Sequence, residues 1–350
     1  MSVLDDQAQL AAADPSGMLE TALGFPRQIH DGWRLGGAAR LPSLPRRPEH
    51  LVICGMGGSA IGGDLLAGYL APTFSIPITV VRGYEVPAFV GPRSLVIAVS
   101  YSGSTEETLA AVAQAERAGA ALFAITSGGP LAETARRSGV IVPGGLAPRA
   151  ALGYLLMPAL AALEHWGLTE PHGGEVEEAA GVLEEVAAEA GPRIGTSRNP
   201  AKRLAELLLG KIPAVYGSSP WVEAAARRWK CQFNENSKTV AAWDAFPELN
   251  HNETVGWGAP PEIAGLVAVV VLLDGTEPAR ILRRVQLTSD LAFHPASGVH
   301  QVRARGAGRL ARLLSLVLMG DLVSIYLAYL RGVDPTPVEI IDAIKQRLRA

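Results

Sequence analysis

From Leu51 onward the chain alternates two kinds of segment. Short runs are apolar at nearly every position: Leu51-Val52-Ile53-Cys54, Ile78-Thr79-Val80-Val81, residues 95–99, 122–125 and 140–142. Between them lie stretches with helical spacing, one from about Ser59 and one over residues 106–118. A strand that is apolar throughout has no face to give to water. It must be covered on both sides, and parallel strands linked by helices are the arrangement that covers them. Residues 154–166 close this half as a helix. The second half repeats the scheme. Residues 212–216 form a strand ending in Gly217-Ser218-Ser219, and residues 221–233 a helix with Val222, Ala225, Ala226, Trp229 and Phe233 on one face. Residues 266–273 and 298–304 are further strands, and residues 310–329 a long buried helix. The pattern predicts an α/β protein of two doubly wound lobes, each a mostly parallel sheet flanked by helices.

A length of 350 residues fits two domains at about 150 residues each. Residues 16–32 read as a short helical arm. Pro42, Pro45 and Pro48 then impose an extended lead-in, because proline removes a donor and restricts its neighbour. Residues 175–190 are acidic and Ala-rich, with Val176, Ala179, Val182, Leu183 and Val186 at helical spacing, and Gly191-Pro192 ends them. Asn199-Pro200 starts another helix as N-cap and first helical residue. The expected division is therefore arm and lead-in 1–45, first lobe 46–168, helical connector 169–205, and second lobe with a C-terminal helix 206–350.

Charge narrows the function. Lys and Arg number 31 against 34 Asp and Glu, a net charge of −3, so no basic excess exists to hold nucleic acid or an anionic membrane. With 48% hydrophobic and 19% charged residues the chain is built to bury a core. The N-terminus lacks the basic-then-apolar pattern of a secretory leader. The apolar stretch 313–330 is broken by Asp321 and reads as a core helix rather than a membrane span. Two cysteines, Cys54 and Cys231, fit a reducing cytoplasm. The expectation is a cytoplasmic enzyme or ligand-binding module.

Two loops following strands carry the chemistry. Gly55-Met56-Gly57-Gly58-Ser59-Ala60 lets backbone N–H groups approach an anion at a helix start. Read literally it also matches a dinucleotide fingerprint. That reading wants an acid at the end of the next strand, and here Val80-Val81 runs into Arg82-Gly83, which leaves only an NADP version. A tight turn without ligand is the third reading. Ser100-Tyr101-Ser102-Gly103-Ser104-Thr105 places more hydroxyls at a helix start than one N-cap needs, and lacks the lysine of a nucleotide P-loop. It reads as a site for a terminal phosphate held by neutral donors, or as a capped polar turn. Glu106 and Glu107 in the first helical turn are read as outward-pointing and favourable to the dipole.

Further along, Glu235 in Asn234-Glu235-Asn236-Ser237-Lys238 falls at the negative end of a helix. That position suits a proton acceptor; the plain alternative is a solvated helix end with Lys238 as partner. His251 stands in Glu248-Leu249-Asn250-His251-Asn252-Glu253, either a polar loop or an oriented proton carrier. No second His or Cys lies at metal spacing, so neither a metal nor any other cofactor is expected. Thr336-Pro337-Val338-Glu339 predicts a capped helix start, with Val338, Ile341, Ile344 and Leu348 on one arc and Lys345 inside it. Lys345 either snorkels out or is held for chemistry. Arg149, before the apolar helix read over residues 154–166, is either an exposed loop cation or a fixed positive group.

Taken together, Gly55-Met56-Gly57-Gly58-Ser59 and Ser100-Tyr101-Ser102-Gly103-x-Thr105-x-Glu107-Thr108 resemble the SIS (sugar isomerase) domain family. More narrowly, from Leu51 to the C-terminus the chain resembles the bifunctional phosphoglucose/phosphomannose isomerases. Ser104 replaces an Asn common there, a change expected to alter a side contact only. The resemblance implies aldose–ketose isomerisation of glucose 6-phosphate and mannose 6-phosphate with fructose 6-phosphate through a cis-enediolate, without a metal. It implies Ser59, Ser100, Ser102 and Thr105, with the backbone of Gly57 and Gly58, as phosphate ligands. Glu235 would be the base, Arg149 the stabiliser of the enediolate, and His251 and Lys345 the ring-opening pair. His251 would come from the second copy of a homodimer. Two other functions remain open: a non-catalytic sugar-phosphate regulator, although no basic DNA-binding extension is present, and an NADP oxidoreductase.

Overall fold

A computed structural model describes residues 2–44 and 46–349; Pro45 of the lead-in lies outside them. The elements begin with α1 (Gln7–Ala13), α2 (Met18–Leu23) and α3 (Phe25–Gly37). Next come β1 (His50–Cys54), α4 (Gly57–Leu70), β2 (Ile78–Val81), β3 (Ser94–Val99), α5 (Glu106–Arg117) and β4 (Ala121–Thr126). α6 (Leu131–Arg137), β5 (Gly139–Ile141), α7 (Leu152–His165), α8 (Gly173–Ala190) and α9 (Pro200–Leu208) follow. The second half holds β6 (Ile212–Gly217), α10 (Glu223–Glu235), β7 (Ala242–Ala245), α11 (Leu249–Asn252), α12 (Pro261–Ala264) and β8 (Val267–Leu273). It ends with α13 (Ala279–Leu291), β9 (Gly298–Arg303), α14 (Arg309–Leu330) and α15 (Glu339–Arg349). Two compact units result: one of Gly24–Glu184 with Gly306–Leu314, the other of Met1–Leu23, Glu185–Arg305 and Ser315–Ala350. The N-terminal arm is thus shared out, α1 and α2 going to one unit and α3 to the other.

The first unit carries a five-stranded sheet in the order β2-β1-β3-β4-β5, the second a four-stranded sheet in the order β7-β6-β8-β9. All pairings are parallel, with Leu51 beside Leu95 and Ala214 beside Val269. The α/β doubly wound architecture expected from the apolar runs is what forms. The runs are the central strands: β3 is buried at every residue and β8 at all but its first. Edge strands face water on one side, and β7, Ala242-Trp243-Asp244-Ala245, has no apolar run to announce it. It, α6 and α13 are absent from the sequence reading for that reason. In α13 the arginines obscure the period, and Leu282, Leu287 and Leu291 stay exposed.

The helical arm differs from expectation. Gly24 separates α2 from α3, Pro26 occupies the first turn of α3, and α3 continues to Gly37. It lies tightly on α7: a Cβ on Gly36 would meet Pro158 Cα at 2.6 Å, and one on Gly32 the Gly153 carbonyl oxygen at 2.6 Å. Helix α14 is long and apolar enough to cross a membrane, yet 89% of that window is buried within the fold. Its one mid-helix acid, Asp321, accepts from Arg228 Nε at 3.0 Å and Nη2 at 2.7 Å, and from Gln232 Nε2 at 2.9 Å. A buried carboxylate in an apolar helix is tolerable only with such partners. These bonds fasten α10 to α14.

Candidate active site

In the five-stranded sheet the chain leaves β1 toward β2 on one side and later places β3 on the other, so strand order reverses between β1 and β3. Loops at such a reversal diverge and open a crevice at the carboxyl ends of the strands. The two loops there are the Gly55 turn and the Ser100 loop. Helix α4 starts at Gly57, with Met56 as N-cap and no side chain capping it; α5 starts after Thr105, again without a side-chain cap. Both helix starts therefore offer N–H groups and the positive dipole end to an anion. The Thr105 hydroxyl lies 2.8 Å from that of Ser100, which also accepts from Gly103 N at 3.1 Å. These hydroxyls bond within the loop, and no side chain caps the start of α5.

The loops are tied together. Ser59 Oγ accepts from the backbone N–H of Tyr101 at 3.4 Å, and Ser59 and Ser100 are both buried while Ser102 is exposed. The Tyr101 hydroxyl donates to Pro143 O at 2.9 Å and accepts from Leu146 N at 3.0 Å, which anchors the segment leading to Arg149. The Ser104 hydroxyl donates to Ser102 Oγ at 3.2 Å. Glu106 is exposed and Glu107 half-buried, both bearing on Tyr84 and raising its pKa along with desolvation, the leading cause. The left-handed turn at Gly103 (φ +66°) permits this loop, since a Cβ there would stand 1.8 Å from Gly128 O. Gly103→Ala is expected to destabilise the protein by about 2–4 kcal/mol, from backbone strain plus overpacking. Chemical denaturation read at matched conditions checks it.

Arg149 is 4% exposed, within a 3-10 turn at Pro148–Ala150, so the exposed-cation alternative fails. Gly58 backs directly onto it: a Cβ at Gly58 would lie 3.0 Å from Arg149 Cα. Just beyond, buried Gln28 of α3 donates to Ala150 O at 2.8 Å and accepts from Gly153 N at 3.2 Å. Gln28 thereby fixes the segment carrying Arg149. The sequence held a signal for it, an amide on the core-facing side of α3 between Phe25 and Ile29. The structure gathers Gly57, Gly58, Ser59, Ser100, Ser102, Thr105 and Arg149 within the five-stranded unit. The NADP reading loses its cation, because Arg82 pairs with Asp64 and donates to Ala60 O at 3.3 Å.

The other unit has its own reversal, between β6 and β8, and its own hydroxyl turn. There the chain supplies the anion itself. Ser218 Oγ donates to Glu277 Oε1 at 2.7 Å, Gly275 N to Glu277 Oε2 at 3.0 Å, and Ser219 Oγ to Asp274 Oδ2 at 3.2 Å. The hydroxyl turn of this unit is thus engaged by carboxylates of its own chain. Glu235 is the last residue of α10, half-buried, on the helix that Arg228 and Gln232 anchor. Past it, Asn236 Nδ2 donates to Ser324 Oγ at 2.9 Å and Ser237 Oγ to Ser324 O at 2.6 Å. The Lys238 ammonium donates to the carbonyls of Glu235 at 2.8 Å, Asp334 at 2.9 Å and Pro335 at 3.1 Å. Lys238 therefore quenches the helix end through main-chain oxygens.

His251 sits in α11, exposed together with Glu248 and Asn252, while Asn250 is half-buried. Asn250 Nδ2 donates to Thr288 Oγ1 at 2.7 Å, Asn252 Nδ2 to Glu248 Oε1 at 3.1 Å, and buried Tyr216 donates its hydroxyl to Glu253. Burial raises the Glu253 pKa, and the neighbouring Asp244 adds to the effect. Lys345 departs from expectation. It lies on the surface of α15, whose arc is uncovered: Ile341, Ile344 and Leu348 are 40%, 55% and 72% exposed. The arc is amphipathic as read, but no described residue of this chain buries it. The Thr336 cap does not form either, since α15 begins at Glu339 and the Val338 carbonyl accepts from Ile341 N at 2.9 Å. Among the described residues no three His, Cys, Asp or Glu side chains are grouped to hold a metal ion.

Comparison with known proteins adds to this geometry. Residues 46–142 match the SIS domain family, and residues 197–348 match the family described as bacterial phospho-glucose isomerase C-terminal SIS domain. A bifunctional phosphoglucose/phosphomannose isomerase of Caldicellulosiruptor bescii is 43% identical over 334 residues, 95% of this chain and 98% of that protein. One from Thermoplasma acidophilum is 36% identical over 324 residues, 92% of this chain and 96% of that protein. Among solved structures, a glucose-6-phosphate isomerase like protein from Thermus thermophilus matches with a TM-score of 0.66 at 21% identity, covering 97% of this chain and 100% of that one. That likeness is one of fold.

Proposed function

The chain belongs to the bifunctional phosphoglucose/phosphomannose isomerase family, and from that premise we propose that it interconverts glucose 6-phosphate and mannose 6-phosphate with fructose 6-phosphate. It is an isomerase by that membership. The observation carrying the substrate reading is the pair of helix starts at the β1/β3 reversal that no side chain caps, furnished with hydroxyls. Ser59, Ser100, Ser102 and Thr105, with the backbone of Gly57 and Gly58, hold the 6-phosphate. Fixing that end sets the distance to the reacting carbons.

His251 and Lys345 move the proton that opens the pyranose ring. Glu235 takes the proton from C2 of the open aldose as the electron pair moves onto the C1 carbonyl oxygen; the proton then returns at C1 while the O2 hydroxyl proton passes to O1, leaving C2 as the ketose carbonyl. Arg149 holds the negative charge that develops on the oxygens. Glucose 6-phosphate and mannose 6-phosphate differ only at C2, so losing that proton leads both to one cis-enediolate, and a single base serves both. His251 acts in the site of a second copy, within a homodimer. Its exposure supports this, as does exposed Val255 on the same segment. The uncovered arc of α15 gives Lys345 a surface that an assembly can bury. The proposed compartment is the cytoplasm, which suits two free cysteines; burial pushes the Cys54 thiol up to about 12 and keeps it inert.

The reading is tested by incubating purified protein with fructose 6-phosphate and separating the products. Both glucose 6-phosphate and mannose 6-phosphate are expected to appear, without any nucleotide cofactor added. Sugar phosphate bound but never converted would favour the regulator reading instead.

A further inference from the structure

We propose that a cavity at the C-terminal end of α4, within the five-stranded unit, is a binding site for a small neutral polyhydroxyl compound, a sugar alcohol or free monosaccharide. The cavity measures about 530 Å³, a size common for small-molecule sites. Tyr69, Thr169 and His172 line it. Tyr69 is the penultimate residue of the 14-residue α4, whose opposite end begins the phosphate loop; at helical rise the two ends are about 20 Å apart. The cavity is therefore separate from the proposed catalytic crevice.

Two buried polar atoms here lack partners among the described residues: His172 Nε2 and Thr169 Oγ1. Buried polar groups are ordinarily hydrogen-bonded, so this pair marks an unmet requirement. His172 is 7% exposed, and its Nδ1 lies 2.8 Å from the Tyr69 hydroxyl. Burial lowers the pKa of this imidazole against the opposing pull of Glu175, Glu164 and Glu170, and a neutral ring has one nitrogen donating and the other accepting. A ligand hydroxyl both donates and accepts. It is the group that satisfies Nε2 in either tautomer, and Thr169 Oγ1 as well. Charge selects against an anion, because Arg47 and Arg309 in the lining are matched by Glu170 and Glu175. Planar guanidinium and carboxylate groups together can bracket neighbouring hydroxyls.

The test is NMR of full-length protein with ¹⁵N-labelled histidine, titrated with xylitol and separately with inorganic phosphate. The His172 signal is identified by its loss in His172→Asn or, should that variant not fold, by its displacement in Tyr69→Phe. Xylitol is expected to shift the Nε2 resonance saturably, phosphate to leave it in place, and Thr169→Val to weaken xylitol about fivefold, the value of one hydrogen bond. The proposal is overturned if xylitol gives no saturable shift, if phosphate moves the resonance instead, or if Thr169→Val binds xylitol as well as the parent.

Discussion

Glu235→Gln is expected to fold like the parent and to lose about 10³-fold in kcat for fructose 6-phosphate, with KM changed little. A positioned base contributes about 10²–10⁴-fold, and the amide keeps the shape of the carboxylate while losing its basicity. Folding is expected to survive because the supports of α10 lie elsewhere. Arg228 and Gln232 engage Asp321 within α14, and Asn236 and Ser237 engage Ser324. Exchange of a C1 proton of fructose 6-phosphate with solvent deuterium should fall in step with kcat. Near-normal turnover in a folded variant would reject Glu235 as the base. The same variant tests the second copy. Mixed with His251→Ala protomers, Glu235→Gln protomers should form heterodimers holding one intact site, and activity should reappear. Mixed dimers that stay inactive would place His251 in its own chain's site.

The sequence disclosed the central strands because burial on both faces forces continuous apolar runs. It disclosed α10 because Val222, Ala225, Ala226, Trp229 and Phe233 must all face the core, and each is buried. It concealed β7, where Asp244 and Trp243 answer to an edge environment. The Ser100 loop was legible as a candidate anion site, since its hydroxyls outnumber what one N-cap needs. Whether such a turn is already filled was not. Ser218 and Ser219 make a comparable hydroxyl turn in the other unit, and only the fold reveals that Glu277 and Asp274 fill it. Lys345 shows the opposite limit. Periodicity reports which residues share a face, while the covering of that face depends on tertiary and quaternary contacts that spacing does not encode. Gln28 escaped notice because its partners, Ala150 and Gly153, are more than a hundred residues away.

Arg149→Lys should be the second severe lesion, lowering kcat by about 10²–10³-fold with a small change in KM. Removing one preorganised donor from a developing oxyanion typically has this effect. Lysine keeps the charge but not the planar fork, so the variant separates geometry from net charge. Two features single out Arg149 among the loop cations. It is buried at the helix start behind the Gly-rich turn, with Gly58 against its backbone, and Gln28 clamps the residues that follow it. So much scaffolding around one arginine holds a direction as well as a charge. A purely structural arginine would show a different signature: Arg149→Lys would lower Tm while kcat stayed near the parent value. Measuring kcat, KM and Tm on one preparation distinguishes the two. A fall in kcat at nearly unchanged Tm assigns the guanidinium to the enediolate, because only an interaction strengthened in the transition state is lost from kcat without being lost from binding.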